Sequence, residues 1–438
     1  MKGRIFRAAS LGLAAVAASG IGGFAAPEAS SAPTKNAAPA PQVSQLLGFA
    51  NATLVRIDPQ SLRPLPGNRI RIGSGGCAPR EGGTACWTVP PWTVSPNGQR
   101  LAVAQNAASS LRLVDVGRMR VTANLRVGGG AIGALAWLVP GRVVAVQEIP
   151  GERQRLLAVD LVKRRVAARQ ALGGSVQQLA RTGQELVMLL APAQAIGPAR
   201  IAVANRRGAV RFVRLERILA GSKLLGTGPD HRVEAQLPGL AVDPQSRRAF
   251  VVDKSVAAEI DLRSLAVSYH TLARQASFLP RLEPAAAAKQ VSGHVRDARW
   301  LGGNLLAVSG TDTEQGRMQP AGLLVVDTRG WSVHTIDRGA TSFEVAGDVL
   351  LAMGGSSDAA TERTTGIGLA AYGFDGEKQF QLFDGQQAWL AQVYGGRAYV
   401  GIVGQEALRI VDLATGNVVA TRQQPLPWLL LGRGAGWW

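Results

Sequence analysis

The sequence predicts an all-β fold in which short strands form four-stranded sheets arranged in a ring. The first observation is a phrase that occurs eight times: an apolar run ends in Asp or Asn, and another strand-like run follows within a few residues. The second is a companion phrase, an apolar run, a turn and another apolar run, which precedes seven of these corners. Together they give four strands per unit, repeated every ~45 residues, the period of a β-propeller with one blade per unit.

The corner residues define the units in chain order. Asp and Asn are favoured at such corners because their side chains accept hydrogen bonds from nearby backbone N–H groups. A residue that recurs in every unit of a ring marks a turn rather than a catalytic site, so we interpret all eight as turns between the third and fourth strands. The corners are Asp58, Asp115, Asp160, Asn205, Asp261, Asp327, Asp375 and Asp412.

The two ends of the repeat region each contain half a unit. Residues 53–72 show only the second half of the pattern, whereas PWLLLGRGAGWW at the C-terminus resembles the first half. Joining them predicts a last blade with two strands from each end, and closing the ring in this way removes exposed sheet edges. The sequence therefore predicts a single propeller of eight blades over residues 48–438. Seven blades is the alternative if the C-terminal strand does not form.

The N-terminus has the pattern of an export signal. Lys2, Arg4 and Arg7 precede the small apolar run AASLGLAAVAASGIGGFAA, which predicts a signal peptide over residues 1–25. Residues 26–47 are rich in Pro and Ala and predict a flexible spacer. No later segment approaches the roughly 20 apolar residues of a transmembrane helix. We therefore expect a secreted, extracytoplasmic protein, and a monomer.

The only two cysteines, Cys77 and Cys86, lie in the Gly-rich stretch GCAPREGGTACW. In an oxidising compartment this close spacing predicts a local disulfide. No His lies nearby to complete a ligand set, and the four histidines of the chain show no metal-ligand spacing. No metal site is predicted.

The chain is strongly basic, with a formal net charge of +18. Such a charge attracts polyanions, although a compositional bias towards Arg explains it equally. The basic residues form no long run, and aromatic residues that would stack on bases make up only 5% of the chain. We therefore expect no sequence-specific nucleic-acid binding, and a protein or an anionic cell-envelope polymer as the partner.

The extra residues of the longer units fall in two classes of connection. Some join the last strand of one unit to the first of the next, as in GSGGCAPREGGTACW, ERILAGSKLLGTGPDHRVEAQLP and ARQASFLPRLEPAAAAKQVSGHV. Others join the second and third strands, as in GTDTEQGRMQPAG and GGSSDAATERTTG. In a propeller both classes lie on the same face, which we call the long-looped face; the opposite face is the plain face. Long loops on a rigid scaffold commonly carry binding sites, although they can also simply plug the channel.

Candidate site residues come from the innermost strands and the inserted loops. Side chains alternate along a strand, so one set should pack between blades and the other, including Thr93 and Trp137, should face the central channel. A mutually paired channel lining is the alternative to a binding role for the polar ones. The candidates at the channel mouth are Gln177, His231, His294, Asp297, Arg299, Glu344 and Gln392.

The phrases SPNG and DLATGN resemble the repeats of exported bacterial β-propellers of the YVTN and PQQ-like groups. The resemblance covers nearly all of the chain after the N-terminal segment and implies the fold, with little functional specificity. A quinoprotein dehydrogenase of this kind is expected to carry adjacent cysteines and an acidic calcium site. Cys77 and Cys86 are not adjacent and no matching acidic cluster occurs, so no cofactor is predicted.

No nucleophile elbow, P-loop or dinucleotide fingerprint occurs in the chain, and the catalytic residues, if any, are unknown. The sequence therefore predicts a secreted, non-enzymatic binding module that engages its partner through the long-looped face. The alternative is an exported hydrolase, lyase or quinone-type oxidoreductase with its site at the channel mouth. Convergence of the candidate residues in one pocket would favour that alternative.

Overall fold

The structure is a computed structural model that describes residues 42–50, 52–67, 69–73, 77–80, 83–86, 90–105, 109–149, 154–193, 195–225, 232–272, 293–314, 317–358, 363–423 and 429–433. Every regular element within these ranges is a β-strand. The all-β prediction is therefore confirmed. No helix that is long and apolar enough to cross a membrane occurs in the described part of the chain.

The first four-stranded sheet joins the two ends of the described chain. It contains β1 (Gln42–Ala50), β2 (Thr53–Arg56), β3 (Ile70–Arg71) and the last strand of the chain, β36 (Leu429–Arg433), in the order β36–β1–β2–β3. Closure of the ring by both ends is thus confirmed. The split of strands is different from the predicted one, because one strand comes from the C-terminal end and three come from the N-terminal end.

The difference arises from QVSQLLGFA, which overlaps the predicted spacer and forms β1 instead. Leu46, Leu47 and Phe49 of this strand are buried, and burial of three large apolar side chains favours an ordered strand over a flexible spacer. Strand β1 begins at Gln42, six residues before the predicted start of the propeller at residue 48. The predicted signal peptide and the rest of the spacer lie outside the described residues.

Seven further antiparallel meanders of four strands follow, and we number all eight from the closing sheet as meander 1. A two-stranded ribbon, β4 (Cys77–Arg80) and β5 (Gly83–Cys86), precedes meander 2. Meander 2 contains β6 (Trp92–Val94), β7 (Arg100–Gln105), β8 (Ser110–Asp115) and β9 (Arg120–Arg126). Meander 3 contains β10 (Ala131–Val139), β11 (Arg142–Glu148), β12 (Arg155–Asp160) and β13 (Arg165–Ala171). Meander 4 contains β14 (Ser175–Thr182), β15 (Glu185–Ala191), β16 (Gly197–Asn205) and β17 (Val210–Leu225).

The second half of the ring repeats this pattern with two additional strands. After β18 (Arg232–Leu237), meander 5 contains β19 (Gly239–Asp243), β20 (Arg248–Val252), β21 (Val256–Asp261) and β22 (Val267–Thr271). Meander 6 contains β23 (Gly293–Gly302), β24 (Leu305–Glu314), β26 (Leu323–Asp327) and β27 (Ser332–Asp337), with β25 (Arg317–Pro320) inserted. Meander 7 contains β28 (Ser342–Ala346), β29 (Val349–Asp358), β30 (Arg363–Gly373) and β31 (Lys378–Leu382). Meander 8 contains β32 (Ala388–Tyr394), β33 (Arg397–Ile402), β34 (Ala407–Asp412) and β35 (Val418–Gln423).

Hydrogen bonds between meanders reduce the number of separate sheets. Meanders 1, 2, 3, 5 and 8 are individual four-stranded sheets, whereas meanders 4, 6 and 7 belong to one 14-stranded sheet together with β18 and β25. The ring therefore has six sheets where eight separate blades were predicted. The cause is that several strands on the long-looped face extend beyond their meanders and pair with one another.

Apolar side chains fill eight clusters, one between each pair of neighbouring meanders around the ring. The cluster between meanders 8 and 1 contains Tyr399 and Leu46, both almost fully buried. Tyr399 Oη also donates a hydrogen bond to the carbonyl oxygen of Pro59 at 2.9 Å. Burial of apolar surface is the main favourable term in folding, so this contact fastens the last meander to the first.

The innermost strands of meanders 2 and 3 do not divide into a packed set and a channel-facing set. Trp137, predicted to face the channel, is 3% exposed and packs with Leu135 against meander 2, whereas Ala134 and Leu138 pack against meander 4. Thr93 is buried as well, and its hydroxyl oxygen accepts a hydrogen bond from the backbone N–H of Trp137 at 3.1 Å. The channel-facing assignment of these two residues is wrong, because both faces of a blade contact a neighbour and alternation therefore sorts side chains between two interfaces.

The corner residues behave as predicted. Asp412 Oδ1 accepts hydrogen bonds from the N–H groups of Ala414 and Thr415, both at 3.1 Å. At the one Asn corner, Asn205 Oδ1 accepts from the N–H of Arg207 at 2.8 Å. The other six corners also accept backbone N–H bonds from residues two or three positions later: Asp58, Asp115, Asp160, Asp261, Asp327 and Asp375. These side chains therefore build the turns of the plain face.

Candidate functional site

The long-looped face carries one continuous sheet formed by strand extensions. The end of β17 pairs with β18, and β18 pairs in parallel with the start of β23. The end of β24 pairs with both the start of β23 and β25, β25 pairs with the end of β29, and β29 pairs with the start of β30. We call this the bridging sheet, made of residues 221–225, 232–237, 293–296, 310–314, 317–320, 354–358 and 363–366.

In the bridging sheet, parts of the insertions that the sequence predicts as loops form ordered strands instead. It connects meanders 4, 6 and 7, which are not all neighbours in the ring. Backbone N–H and C=O groups in these extensions are paired with each other, and such pairing restrains the backbone more strongly than an open loop would. The bridging sheet therefore presents a largely fixed surface.

A buried network of charged groups lies where the bridging sheet meets meander 5. The side chain of Arg296 is 3% exposed, and its guanidinium donates to Asp312 Oδ1 at 2.6 Å and to the Thr311 carbonyl oxygen at 2.9 Å. His294 Nε2 lies 2.5 Å from Asp253 Oδ1, which comes from the connection between β20 and β21. Each of these side chains thus has a partner within the network.

The electrostatics of Asp253 reflect this pairing. Burial by itself raises the pKa of the Asp253 carboxyl, but the hydrogen bond and the charge of His294, together with Arg296, hold that pKa below its usual value. Asp253 therefore stays ionised beside His294. The candidate His294 is engaged with a carboxylate of a neighbouring meander.

Three of the predicted site residues lie together on the innermost strands of meanders 6 and 7. Arg299 Nη1 donates to Asp297 Oδ1 at 2.6 Å, and both side chains are partly exposed. Burial raises the pKa of Asp297, the charge of Arg299 counteracts the rise, and the nearby negative charge of Glu344 adds to it. Two neighbouring carboxylates, one with a raised pKa, form a pattern that occurs in proton-transfer sites, although structural ion pairs also produce it.

The residue that connects three meanders near this group is Gln178. Its Nε2 donates to the Arg296 carbonyl oxygen at 3.0 Å, and its Oε1 accepts from the Leu240 N–H at 2.6 Å. The predicted candidate Gln177 instead donates to the Ser175 carbonyl oxygen at 3.4 Å. The register of β14 against β15 shifts between Val176 and Gln178, and such a bulge redirects side chains. Sequence alternation alone could not locate this shift, and two consecutive glutamines on an innermost strand were the only available signal.

The remaining candidates are more dispersed. Gln392 lies on β32, the innermost strand of meander 8, beside another register shift, and His231 lies outside the described residues. His270, which is not one of the candidates, stacks on Trp331 between meanders 5 and 6, with ring centroids 3.8 Å apart. Within the described ranges, no three His, Cys, Asp or Glu side chains are grouped as metal ligands would be.

The two cysteines lie opposite each other. Cys77 and Cys86 are Cα partners across the antiparallel ribbon of β4 and β5. Directly opposed residues in an antiparallel pair are about 4.5–5.5 Å apart at Cα, which is within the range that a disulfide spans. Their side chains lie outside the described part, so the disulfide stays a prediction.

Exposed apolar side chains also occur on the long-looped face. Trp389 at the start of β32 is 44% exposed, and Val295 of the bridging sheet and Val403 after β33 are also exposed. Gly401 faces the Trp389 ring so closely that any side chain there would collide with the indole. Trp is one of the residue types enriched among the hot-spot residues near the centre of protein interfaces.

No family model matches the chain, and none of the curated proteins is similar to it. Among solved structures, the chain is similar to the dihydro-heme d1 dehydrogenase NirN in complex with DHE, with 13% identity, a TM-score of 0.51, and coverage of 90% of this chain and 75% of that one. The structure of apo AztD from Citrobacter koseri gives 13% identity, a TM-score of 0.49, and coverage of 90% and 99%. BamB from Moraxella catarrhalis gives 11% identity, a TM-score of 0.43, and coverage of 81% of this chain and 92% of that one. The similarity to NirN supports the propeller fold and says nothing about activity.

Proposed function

We propose that the protein is an exported β-propeller that binds a protein partner through its long-looped face. The observation that carries the proposal is the bridging sheet, which joins extensions of meanders 4, 6 and 7 into one surface. Closing a ring requires no such pairing, because meanders 1, 2, 3, 5 and 8 form without it. A function on that face accounts for the additional structure.

The exposed side chains on this face favour a protein over an anionic polymer as the partner. Trp389, Val295 and Val403 present apolar surface, whereas a polyanion would be expected to contact unpaired basic groups. Two of the cations described near this surface have acidic partners: Arg296 pairs with Asp312, and Lys223 pairs with Glu234 at 3.3 Å. The basic N-terminal pattern followed by a small apolar run supports export. The phrases SPNG and DLATGN support a place in the YVTN or PQQ-like repeat groups.

Removing the arm of β29 and β30 tests the proposal. We expect that replacing residues 356–365 with Asn-Gly, a sequence that favours a tight hairpin turn, will abolish co-sedimentation of the protein with the envelope fraction of the producing cells. None of the described side chains of the arm belongs to the eight apolar clusters, so the melting temperature should stay close to that of the unaltered protein.

A Val162→Asp variant provides the matched control for this experiment. Val162 is 81% exposed and lies in the turn after Asp160 on the plain face, so this variant should co-sediment as the unaltered protein does. If the arm-deleted protein melts normally and still co-sediments fully, the proposal is wrong. Capture by a purified anionic polymer, instead of by envelope proteins, would show that the partner class is wrong.

A second candidate function is an exported enzyme with its site at the channel mouth. The observation that favours it is the raised pKa of Asp297 beside Arg299 and Glu344. Hydrolysis of ester, glycoside and phosphate test substrates should then be measurable and should disappear in Asp297→Asn. Equal background rates for the two proteins across the pH range would exclude this group as a catalytic centre for those substrates.

A further inference from the structure

A solvent-open cleft of about 450 Å³ lies on the plain face between meanders 4 and 5. Its walls are three turns: residues 182–185 between β14 and β15, residues 205–207 between β16 and β17, and Pro244 with Arg247 between β19 and β20. The volume falls within the range of small-molecule sites, which is roughly 300–1,000 Å³. This cleft is remote from the bridging sheet, because the turns that form it occur at the opposite strand ends.

The charge of the cleft is positive. Three arginines line it, Arg206, Arg207 and Arg247, against a single carboxylate, Glu185. That carboxylate is already neutralised, since Arg247 Nη2 lies 2.5 Å from its Oε2 and Arg211 Nη2 lies 3.8 Å from its Oε1. Arg211 is further held by donating to the carbonyl oxygens of Arg263 and Leu262, both at 2.7 Å.

Two of the arginines have no acidic partner in the described part of the chain. Arg206 and Arg207 are exposed and make no ion pair with the described residues. The turn that carries them is rigid, because Asn205 Oδ1 accepts from the N–H groups of Arg207 at 2.8 Å and Ala209 at 3.2 Å. Two free guanidinium groups on a fixed turn therefore face an open, positively charged cavity.

We infer that this cleft binds a small soluble ligand that carries phosphate or carboxylate groups. Guanidinium groups form paired, charge-assisted hydrogen bonds with such oxyanions, and their planar shape matches both groups. The ion pair of Arg247 with Glu185 holds one wall of the cleft in place. Arg206 and Arg207 supply the positive charges that would bind the oxyanion. The inference is independent of the proposed partner on the long-looped face.

Calorimetric titration of the full chain with pyrophosphate and with citrate at an ionic strength of about 0.15 M, where the Debye length is about 8 Å, tests the inference. We expect Arg206→Ala/Arg207→Ala to weaken the binding of at least one of these ligands by about tenfold or more, as loss of hydrogen bonds to a charged group predicts. The control is Arg118→Ala/Arg120→Ala, which removes two exposed positive charges from the equivalent turn of meander 2. The affinity of this control variant for pyrophosphate and citrate should stay within about twofold of that of the unaltered protein, because a distant, screened surface charge contributes little to binding.

Both variants should melt like the unaltered protein, since none of the four side chains is buried. The inference is overturned if neither pyrophosphate nor citrate binds to the unaltered protein. It is equally overturned if the two double variants lose affinity to the same extent, because the attraction would then be due to overall charge and not to the cleft.

Discussion

The two faces of the ring differ in how their strands end. On the plain face each third strand ends at, or two residues before, an Asp or Asn whose side chain accepts nearby backbone N–H bonds. Every meander therefore builds its own corner from local sequence. On the long-looped face some strands extend and pair with segments far away in the chain, as β18 does with β23. Structure that repeats eight times can maintain a scaffold but cannot distinguish one part of the ring from another. A protein partner that contacts one part of the ring only is therefore expected to bind on the non-repeated face.

The largest loss of stability is expected from opening the ring, because both faces depend on its closure. Deleting residues 424–438 removes β36 and leaves β1 without its partner on that side. The loss should exceed about 4 kcal/mol, the upper end of single-site effects, and should lower the thermal unfolding temperature measured by circular dichroism. Deleting only residues 435–438 leaves β36 in place and serves as the control. Equal melting of the longer deletion and the full chain would contradict closure by this strand.

The second test compares an ion pair of the long-looped face with one nearer the plain face. Arg296→Met removes the closer cation beside the largely buried Asp312 and leaves only Lys254, whose Nζ lies 3.9 Å from Asp312 Oδ2. The loss in the free energy of unfolding should approach the roughly 3–5 kcal/mol of a broken buried ion pair. Arg248→Met breaks an ion pair of similar length, in which Arg248 Nη1 lies 2.7 Å from Glu259 Oε1. Because these two side chains are 31% and 20% exposed, the loss in the free energy of unfolding should be at most about 1 kcal/mol. Denaturant unfolding of both variants measures the difference. Similar losses would show that the two regions are equally permeable to solvent.

A smaller effect is expected from the ribbon of β4 and β5. If Cys77 and Cys86 are bonded, reduction should destabilise the protein by no more than about 3 kcal/mol, since the closed loop is short. The Cys77→Ala/Cys86→Ala variant should then show no response to reductant, which makes it the control. Detection of two free thiols in the unreduced, denatured protein would rule out the disulfide.

The smallest effects are expected in how the free energy of unfolding changes with pH. Asp297 at the channel and Asp261 at a corner should contribute slopes of opposite sign. Because burial raises the pKa of Asp297, the folded state binds its proton more tightly than the unfolded state, and stability should fall as pH rises above 3.8. Backbone and side-chain hydrogen bonds from Ser264 lower the pKa of Asp261, so stability should fall as pH drops below 3.8. Unfolding curves of Asp297→Asn and Asp261→Asn, each compared with the unaltered protein, should lose these slopes. Identical slopes in all three proteins would contradict both assignments.

Much of the plain face and of the strand pattern could be predicted because each unit depends on adjacent residues. The corners follow from Asx side chains bonding to N–H groups two or three residues later, as Asp412 does with Ala414 and Thr415. Strand β1 was not predicted because its apolar residues follow a Pro/Ala-rich segment, and only contacts with meanders 2 and 8 show why Leu46 and Leu47 are buried.

The candidate site was harder to predict because it depends on register and on distant pairing. Arg299 and Asp297 are two residues apart on one strand, and their ion pair follows the proximity that the sequence shows. Gln178 and the pairing of His294 with Asp253 required knowledge of a bulge and of contacts between meanders. The bridging sheet likewise joins segments whose sequences indicate only long loops.

The most direct test of the difference between the faces is site-specific photo-crosslinking in the producing cells. A photoreactive residue would replace Val295 or Trp389 on the long-looped face, and Val162 or Val419 as exposed controls remote from it. We predict a discrete protein adduct from at least one of the first two positions and none from the controls. Adducts of the same size and yield from all four positions, or from the controls alone, would contradict a partner-binding long-looped face.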